Sequence, residues 1–162
     1  DNIIRKVKLS DAEDIVAIYN DYITTTTISF EVTTLSVGEM RQRISALMAE
    51  YPYYVYEEKG HVVGFCYAHK WKDRAAYDRT LETTIYLSPN SFHRGIGMEL
   101  MKTLISDCRK MNVKVLVACI TYGNESSIKF HERLGFEQVS HFKQVGMKFG
   151  HTLDVVDYQL IL

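Results

Sequence analysis

An α/β fold, a mixed sheet flanked by helices on both faces, is predicted by three observations. The chain of 162 residues has the length of one ordinary domain, so a single domain spanning 1–162 with one active site is expected. The hydrophobic period alternates between strand-like and helix-like in the order β-α-α-β-β-β-α-β-α-β-β. Finally, Val113 to Ile120 is apolar on both faces, as in a central strand. Following a strand and a helix, it is expected to run parallel to Leu81–Ser88 in a βαβ unit.

The chain opens with a short strand, Ile3 to Lys8. Ser10 and Glu13 then form a capping-box pattern ahead of a first helix with Ile15, Ile18, Tyr19 and Tyr22 on one face. Ser36 and Glu39 repeat that pattern for a second helix. There Leu35 and Met40 form a hydrophobic staple, Ile44, Leu47 and Met48 continue the apolar face, and Pro52 marks the break after it. Tyr53–Glu58 and His61–His69, joined at Lys59-Gly60, read as an antiparallel hairpin. Strand Leu81–Ser88 follows a polar loop. Gly95-Ile96-Gly97 opens a third helix, with Leu100, Met101, Leu104, Ile105 and Cys108 on one side and Asn112 at its end. The last helix starts at Asn124 as N-cap and stops at Gly135. Two closing strands are expected at Phe136–Phe142 and Leu153–Leu162.

Composition removes several function classes. Hydrophobic residues make up 46% and aromatics 12%, enough for a packed core rather than disorder. Nineteen Lys and Arg balance twenty Asp and Glu, a net charge of -1 that offers no field for tracking nucleic acid or an anionic membrane. No apolar run approaches the roughly 20 residues of a membrane span, and the amino end shows no secretion signal. A soluble protein of the cytoplasm, binding neither nucleic acid nor membrane, is the expectation. Cys66, Cys108 and Cys119 show neither disulfide nor zinc spacing and are expected as buried thiols, and the six histidines lack metal-ligand spacing, so no metal is expected.

The sharpest local pattern is HRGIGMELM, directly after a strand and at a helix start. Gly95 and Gly97 let backbone approach a bulky anion, and the free N–H groups and positive end of the helix favour phosphate. A dinucleotide fold would need a third Gly where Leu100 stands, and a P-loop would need Gly-Lys-Ser/Thr. Taken alone, two glycines making a tight turn into a helix explain the loop as well.

NESSIKFHERLGFE, residues 124–137, changes the balance. With the glycine loop and the element order, it resembles the GNAT superfamily of N-acetyltransferases along essentially the whole chain. YNDYI, WKDRAAYDRTLETTIYLS, KFHERLGFE and GMKFGHTLDVVDYQ carry a narrower resemblance to phosphinothricin and methionine sulfoximine N-acetyltransferases. The resemblance implies acetyl-CoA as co-substrate and direct attack by an amine on its thioester in a ternary complex. It implies that Ile85, Tyr86 and Leu87 pair with the pantetheine arm, a backbone N–H among them serving as oxyanion donor worth about 3–4 kcal/mol. It places the pyrophosphate on Gly95, Ile96, Gly97 and Met98, with His93, Arg94, Asn124 and Ser127 nearby.

Glu82 is implied as general base, taking the ammonium proton directly or through water, and strand alternation puts it on one face with Thr84 and Tyr86. His131, where most of the superfamily has Tyr, is implied as donor to the thiolate or as proton relay. Ping-pong chemistry through Cys66 or Cys119 is disfavoured, because a thiolate in an apolar strand would be desolvated. Lys72, Arg74 and Arg79, beside Trp71 and Tyr77, concentrate cations that could clamp a carboxylate and a second polar group, and the narrower resemblance implies that they do so for an amino-acid acceptor, with Lys72, Arg74, Tyr77 and Phe30 lining its pocket. Bland alternatives stand beside each: a strand-edge carboxylate, an ordinary helix histidine, a solvated loop, a core aromatic. Phe92 replaces the Gln or Arg usual in the family, and Arg79 a large aromatic of the phosphinothricin enzymes.

The acceptor expected is the α-amino group of methionine sulfoximine, methionine sulfone or phosphinothricin, all small molecules. A different amine, a protein amino terminus, or a non-catalytic coenzyme A-binding module are the alternatives. The resemblance also implies a homodimer, although no residue pattern marks its interface.

Overall fold

The computed structural model describes residues 2–162, and among them seven strands and four α-helices follow one another in the order the sequence predicts. They are β1 (Asn2–Lys6), α1 (Ala12–Thr25), α2 (Val37–Met48), β2 (Tyr53–Glu58), β3 (His61–Lys70), β4 (Thr80–Leu87), α3 (Ile96–Lys110), β5 (Val115–Thr121), α4 (Glu125–Arg133), β6 (Glu137–Lys148) and β7 (His151–Ile161). The strands form one sheet in the order β1-β2-β3-β4-β5-β7-β6. Each neighbouring pair is antiparallel except β4 and β5, which run parallel as the βαβ reading requires.

Two apolar clusters sandwich this sheet. Ile15, Ile44, Val55 and Phe65 bury α1 and α2 against one side, while Leu100, Met101, Leu104, Leu116 and Val156 bury α3 on the other. The third helix buries the stripe that its periodicity marks, and the second buries Met40 and Ile44 but leaves Met48, expected on the same face, 42% exposed at its last turn.

Local chemistry fixes the helix ends. Ser36 Oγ accepts from the Glu39 amide at 3.0 Å and Glu39 returns the bond to the Ser36 amide at 2.9 Å, the reciprocal box expected. Asn124 accepts from the Ser127 amide at 3.3 Å, and Asn112 and Gly135 adopt positive φ beyond the ends of α3 and α4. The box expected at Ser10 and Glu13 does not form, because Ser10 sits inside a 3-10 turn, Leu9–Asp11. Asp11 caps that turn instead, accepting from the Lys8 amide at 2.8 Å and from both arms of Arg5 at 2.9 Å.

The closing hairpin is longer than its alternation suggests. β6 continues past Phe142 to Lys148, through a register shift between Phe142 and Gly146 where Gln144 has φ 60°. Phe149 and Gly150, with φ of 53° and 77°, make the turn. β7 returns between β5 and β6.

One departure from a regular sheet positions everything that follows. β4 and β5 pair only where Thr80, Leu81 and Glu82 meet Val115, Leu116 and Val117. Beyond Glu82 the strands part: 83–87 pair with β3 alone and 118–121 with β7 alone. No helix among the described residues is long and apolar enough to cross a membrane.

Candidate active site

Two cavities open from the split between β4 and β5, a chamber of about 490 Å³ and a groove of about 580 Å³. They share Ile28, Ile85, Tyr86, Asn124 and Ser127 along their walls, so one continuous space crosses the sheet at the gap.

The groove runs from the free edge of β4 to the start of α3. Gly95 is the N-cap there, with φ 79° and no side chain to cap the helix. The first amides of α3 therefore keep their hydrogens free for an anion. Gly97 forms the floor: a Cβ on it would stand 3.2 Å from Phe130 and 3.4 Å from Leu87. Tyr22 supports the outer part of β4, donating its hydroxyl to the Leu87 carbonyl at 2.5 Å. Of the side chains expected near a pyrophosphate, His93 lines the groove and Arg94 does not, since Arg94 forks onto Glu58 of β2. Phe92, Ser126 and Arg133 also line it. Arg133, in the last turn of α4, supplies a cation that sequence spacing did not single out. These features, bare amides, glycine floor and unpaired strand edge, fit a long ligand bearing a diphosphate at one end.

The chamber holds the titratable groups. Glu82, Thr84 and Tyr86 share its wall, as strand alternation requires, opposite His69, Tyr67 and Phe65 of β3. Burial raises the Glu82 carboxyl above its ordinary value. His69, with Nε2 3.9 Å from Oε2, works against that rise and Asp157 adds to it. Thr83, at the point where the strands part, has a buried hydroxyl with no partner. His131 is buried against Phe130 and Phe136 and lines the same chamber. Its Nδ1 lies 2.8 Å from the Ser127 carbonyl, which fixes the proton on that nitrogen and leaves Nε2 as acceptor. Burial lowers its affinity for a second proton, partly offset by that bond, so the ring is neutral near pH 7.

Cys66 and Cys108 are buried as expected, but Cys119 is exposed and faces the chamber from β5. Strand alternation across the split, where no neighbour covers β5, accounts for the difference. Although the residue is exposed, its sulfur is partly withdrawn from water within the chamber, and this, with Asp157 and Glu82 beside it, pushes the thiol up to about 12. A thiolate there remains disfavoured.

Phe30 lines the chamber while staying 42% exposed. Its segment is pinned on both sides. Tyr19 donates to Glu31 and bonds Ser29, Arg43 holds Glu31 with two arms, and Lys148 donates to the Ser29 carbonyl at 2.7 Å. Lys72, Arg74 and Tyr77 are not brought to the chamber. Lys72 lies over Trp71, 4.6 Å from the ring centre and 5.9 Å from that of Tyr77. A cation attracted to aromatic faces in its own loop has no need to reach across the sheet. Among the described residues, the chamber wall contains neither Lys nor Arg. Tyr19, Glu31, Tyr67 and His69 were not anticipated there. Alternation along β3 carries a signal for the last two and the helical period of α1 one for Tyr19, whereas Glu31 comes from a segment without regular period.

Comparison with known proteins agrees with this geometry. Residues 4–156 match the family described as Acetyltransferase (GNAT) domain. Phosphinothricin N-acetyltransferase of Alcaligenes faecalis is 37% identical over 155 residues, covering 94% of this chain and 79% of that protein. The L-methionine sulfoximine/L-methionine sulfone acetyltransferase of Pseudomonas paraeruginosa is 34% identical over 161 residues, covering 98% and 94%. The solved structure of a phosphinothricin acetyltransferase from Sinorhizobium meliloti in complex with AcCoA superposes with a TM-score of 0.95 at 34% identity, covering 99% of this chain and 88% of that one.

Proposed function

The chain belongs to the GNAT acetyltransferase family and is an acetyl-CoA-dependent N-acetyltransferase, and from that premise we propose that it acetylates the α-amino group of a small amino-acid analogue. Methionine sulfone and methionine sulfoximine are the favoured acceptors, with phosphinothricin behind them, and residues 1–162 act as one domain. One observation carries the reading: Glu82 stands at the vertex of the β4–β5 split, on the chamber wall, three residues before Ile85 and Tyr86, where chamber and groove meet. Acceptors of this kind are named for the relatives in Pseudomonas and Alcaligenes. A chamber wall without Lys or Arg supports ranking the neutral sulfone and sulfoximine above the anionic phosphinyl group.

In this reaction the groove holds the diphosphate on the amides of Gly95 to Met98, and the free edge at Ile85–Leu87 aligns the arm. Glu82 takes one proton from the substrate ammonium, so that a neutral amine attacks the thioester carbonyl, and a free β4 amide stabilises the oxygen anion. His131, neutral before the reaction, takes the second nitrogen proton on Nε2 and passes it to the departing sulfur. No covalent acyl-enzyme is needed, in keeping with the protonated state of Cys119.

Thiol release from acetyl-CoA with each acceptor tests this. Methionine sulfone is expected to exceed phosphinothricin in kcat/KM, and Glu82→Gln to lower kcat about 100-fold or more while coenzyme A binding persists. Coenzyme A binding without turnover of any of the three would sink the acceptor class. Full activity in Glu82→Gln would remove the base.

A further inference from the structure

Acetylating an ammonium strips two protons from one nitrogen, and the leaving thiolate takes back only one. Each turnover therefore leaves a proton on Glu82, which must lose it before the next ammonium can be deprotonated. His131 lines the same chamber, and among the described residues few titratable groups interact with Glu82 itself. They are Tyr67 and His69 on β3, Cys119 on β5 and Asp157 on β7. Burial keeps the Tyr67 phenol and the Cys119 thiol protonated, so neither offers a lone pair of suitable basicity. Asp157 accepts from the Ser140 hydroxyl at 3.0 Å, and its charge opposes ionisation of Glu82.

His69 differs. It lies directly opposite Glu82 in the β3–β4 register. Its Nδ1 is 2.8 Å from the Lys70 carbonyl, an oxygen that can only accept, so the proton is on Nδ1 and Nε2 carries a lone pair. That Nε2 lies 3.9 Å from Glu82 Oε2, and the two side chains keep 30% and 31% of their exposure. One bridging water or a small χ adjustment closes the gap, and the outer side of the ring reaches solvent.

Resting on the reading of Glu82 as base, we propose that His69 discharges it: the carboxyl proton passes from Glu82 Oε2 to His69 Nε2 and from there to water. The O–H bond breaks as the N–H bond forms, the carboxylate is restored, and the imidazolium returns to imidazole by giving its proton to bulk water or buffer. His69 acts through Glu82 and not on the acceptor.

Kinetics with methionine sulfone and acetyl-CoA in a weakly buffering medium test this. His69→Gln is expected to lower kcat about tenfold with KM for acetyl-CoA unchanged. The acid limb of its kcat/KM profile is expected to move to higher pH, since the substitution removes the interaction by which His69 opposes the upward shift of Glu82. Added imidazole is expected to restore His69→Ala and leave the wild type unchanged. Wild-type kcat and pH profile in His69→Gln, or a deficit in His69→Ala that imidazole does not relieve, would overturn the discharge role alone when Glu82→Gln is inactive. An active Glu82→Gln, or a wild type that turns over none of the three acceptors, would overturn the underlying reading and this role together.

Discussion

A carboxyl withdrawn from water holds its proton longer, and for Glu82 burial sets that direction against the partial relief from His69. In the proposed role of base it is competent only when ionised. Acceptor kcat/KM is therefore expected to rise with pH through an apparent pKa above the ordinary carboxylate range. The same shift bears on stability: a folded-state pKa above the unfolded one favours the protonated fold, and that contribution is lost as pH rises through the folded value. Glu82→Gln is thus expected to melt no lower than the wild type at pH 8 although inactive, which a thermal scan checks. Thr83 makes a parallel case, because its buried hydroxyl has no partner within the protein. Thr83→Val keeps the shape and removes the orphaned group, so its Tm is expected to match or exceed that of the wild type. Glu82 was legible in the sequence because an acid in LETTIYL stands out against apolar neighbours. His69 was not, since its relation to Glu82 depends on a cross-strand register that neither segment encodes alone.

Element by element, legibility followed how local the causes are. Ser36 and Glu39 lie three residues apart and exchange both bonds, so their pattern could be read directly. Asp11 escaped that reading because its partners, Arg5 and through it Glu57, come from β1 and β2. Burial alone would raise the Asp11 carboxyl, but Arg5 and the Lys8 amide hold it below the usual range. Asp11→Asn is expected to cost about 1.5–3 kcal/mol in urea unfolding at neutral pH. Because the folded pKa is depressed, the difference between wild type and variant should shrink as pH falls through that lowered value. The far half of β6 was hidden for another reason: the shift at Phe142–Gly146 breaks the two-residue period, and most of the strand is exposed. Packing between elements is just as selective. A Cβ on Gly64 in β3 would come within 2.6 Å of Leu87 and 3.2 Å of Leu100 on α3. Gly64→Ala is therefore expected to lower stability by about 1–3 kcal/mol, read from the same urea titration.

Across the whole molecule, the chamber proposed for the acceptor and the groove proposed for coenzyme A meet but rest on different parts. Acetyl-CoA at a hundredfold excess over its Kd is expected to add about 2.7 kcal/mol, a rise of about 5–10 °C in Tm for a chain of this size. The rise should persist in Glu82→Gln, whose side chain lies outside the groove lining. The groove was legible because a glycine loop after a strand is a local pattern. The chamber was only half legible: Lys72 and Arg74 form a local cluster of charge, yet their loop turns its cation onto Trp71. The open edge of β4 has one more implication. If the acyl donor is held there as proposed, its recognition depends on peptide groups that every residue possesses, so mutational drift in side-chain identity at 83–87 can reshape which amine is accepted while leaving the acyl donor the same. Descendants of such a chain would be free to change their customers without changing their currency.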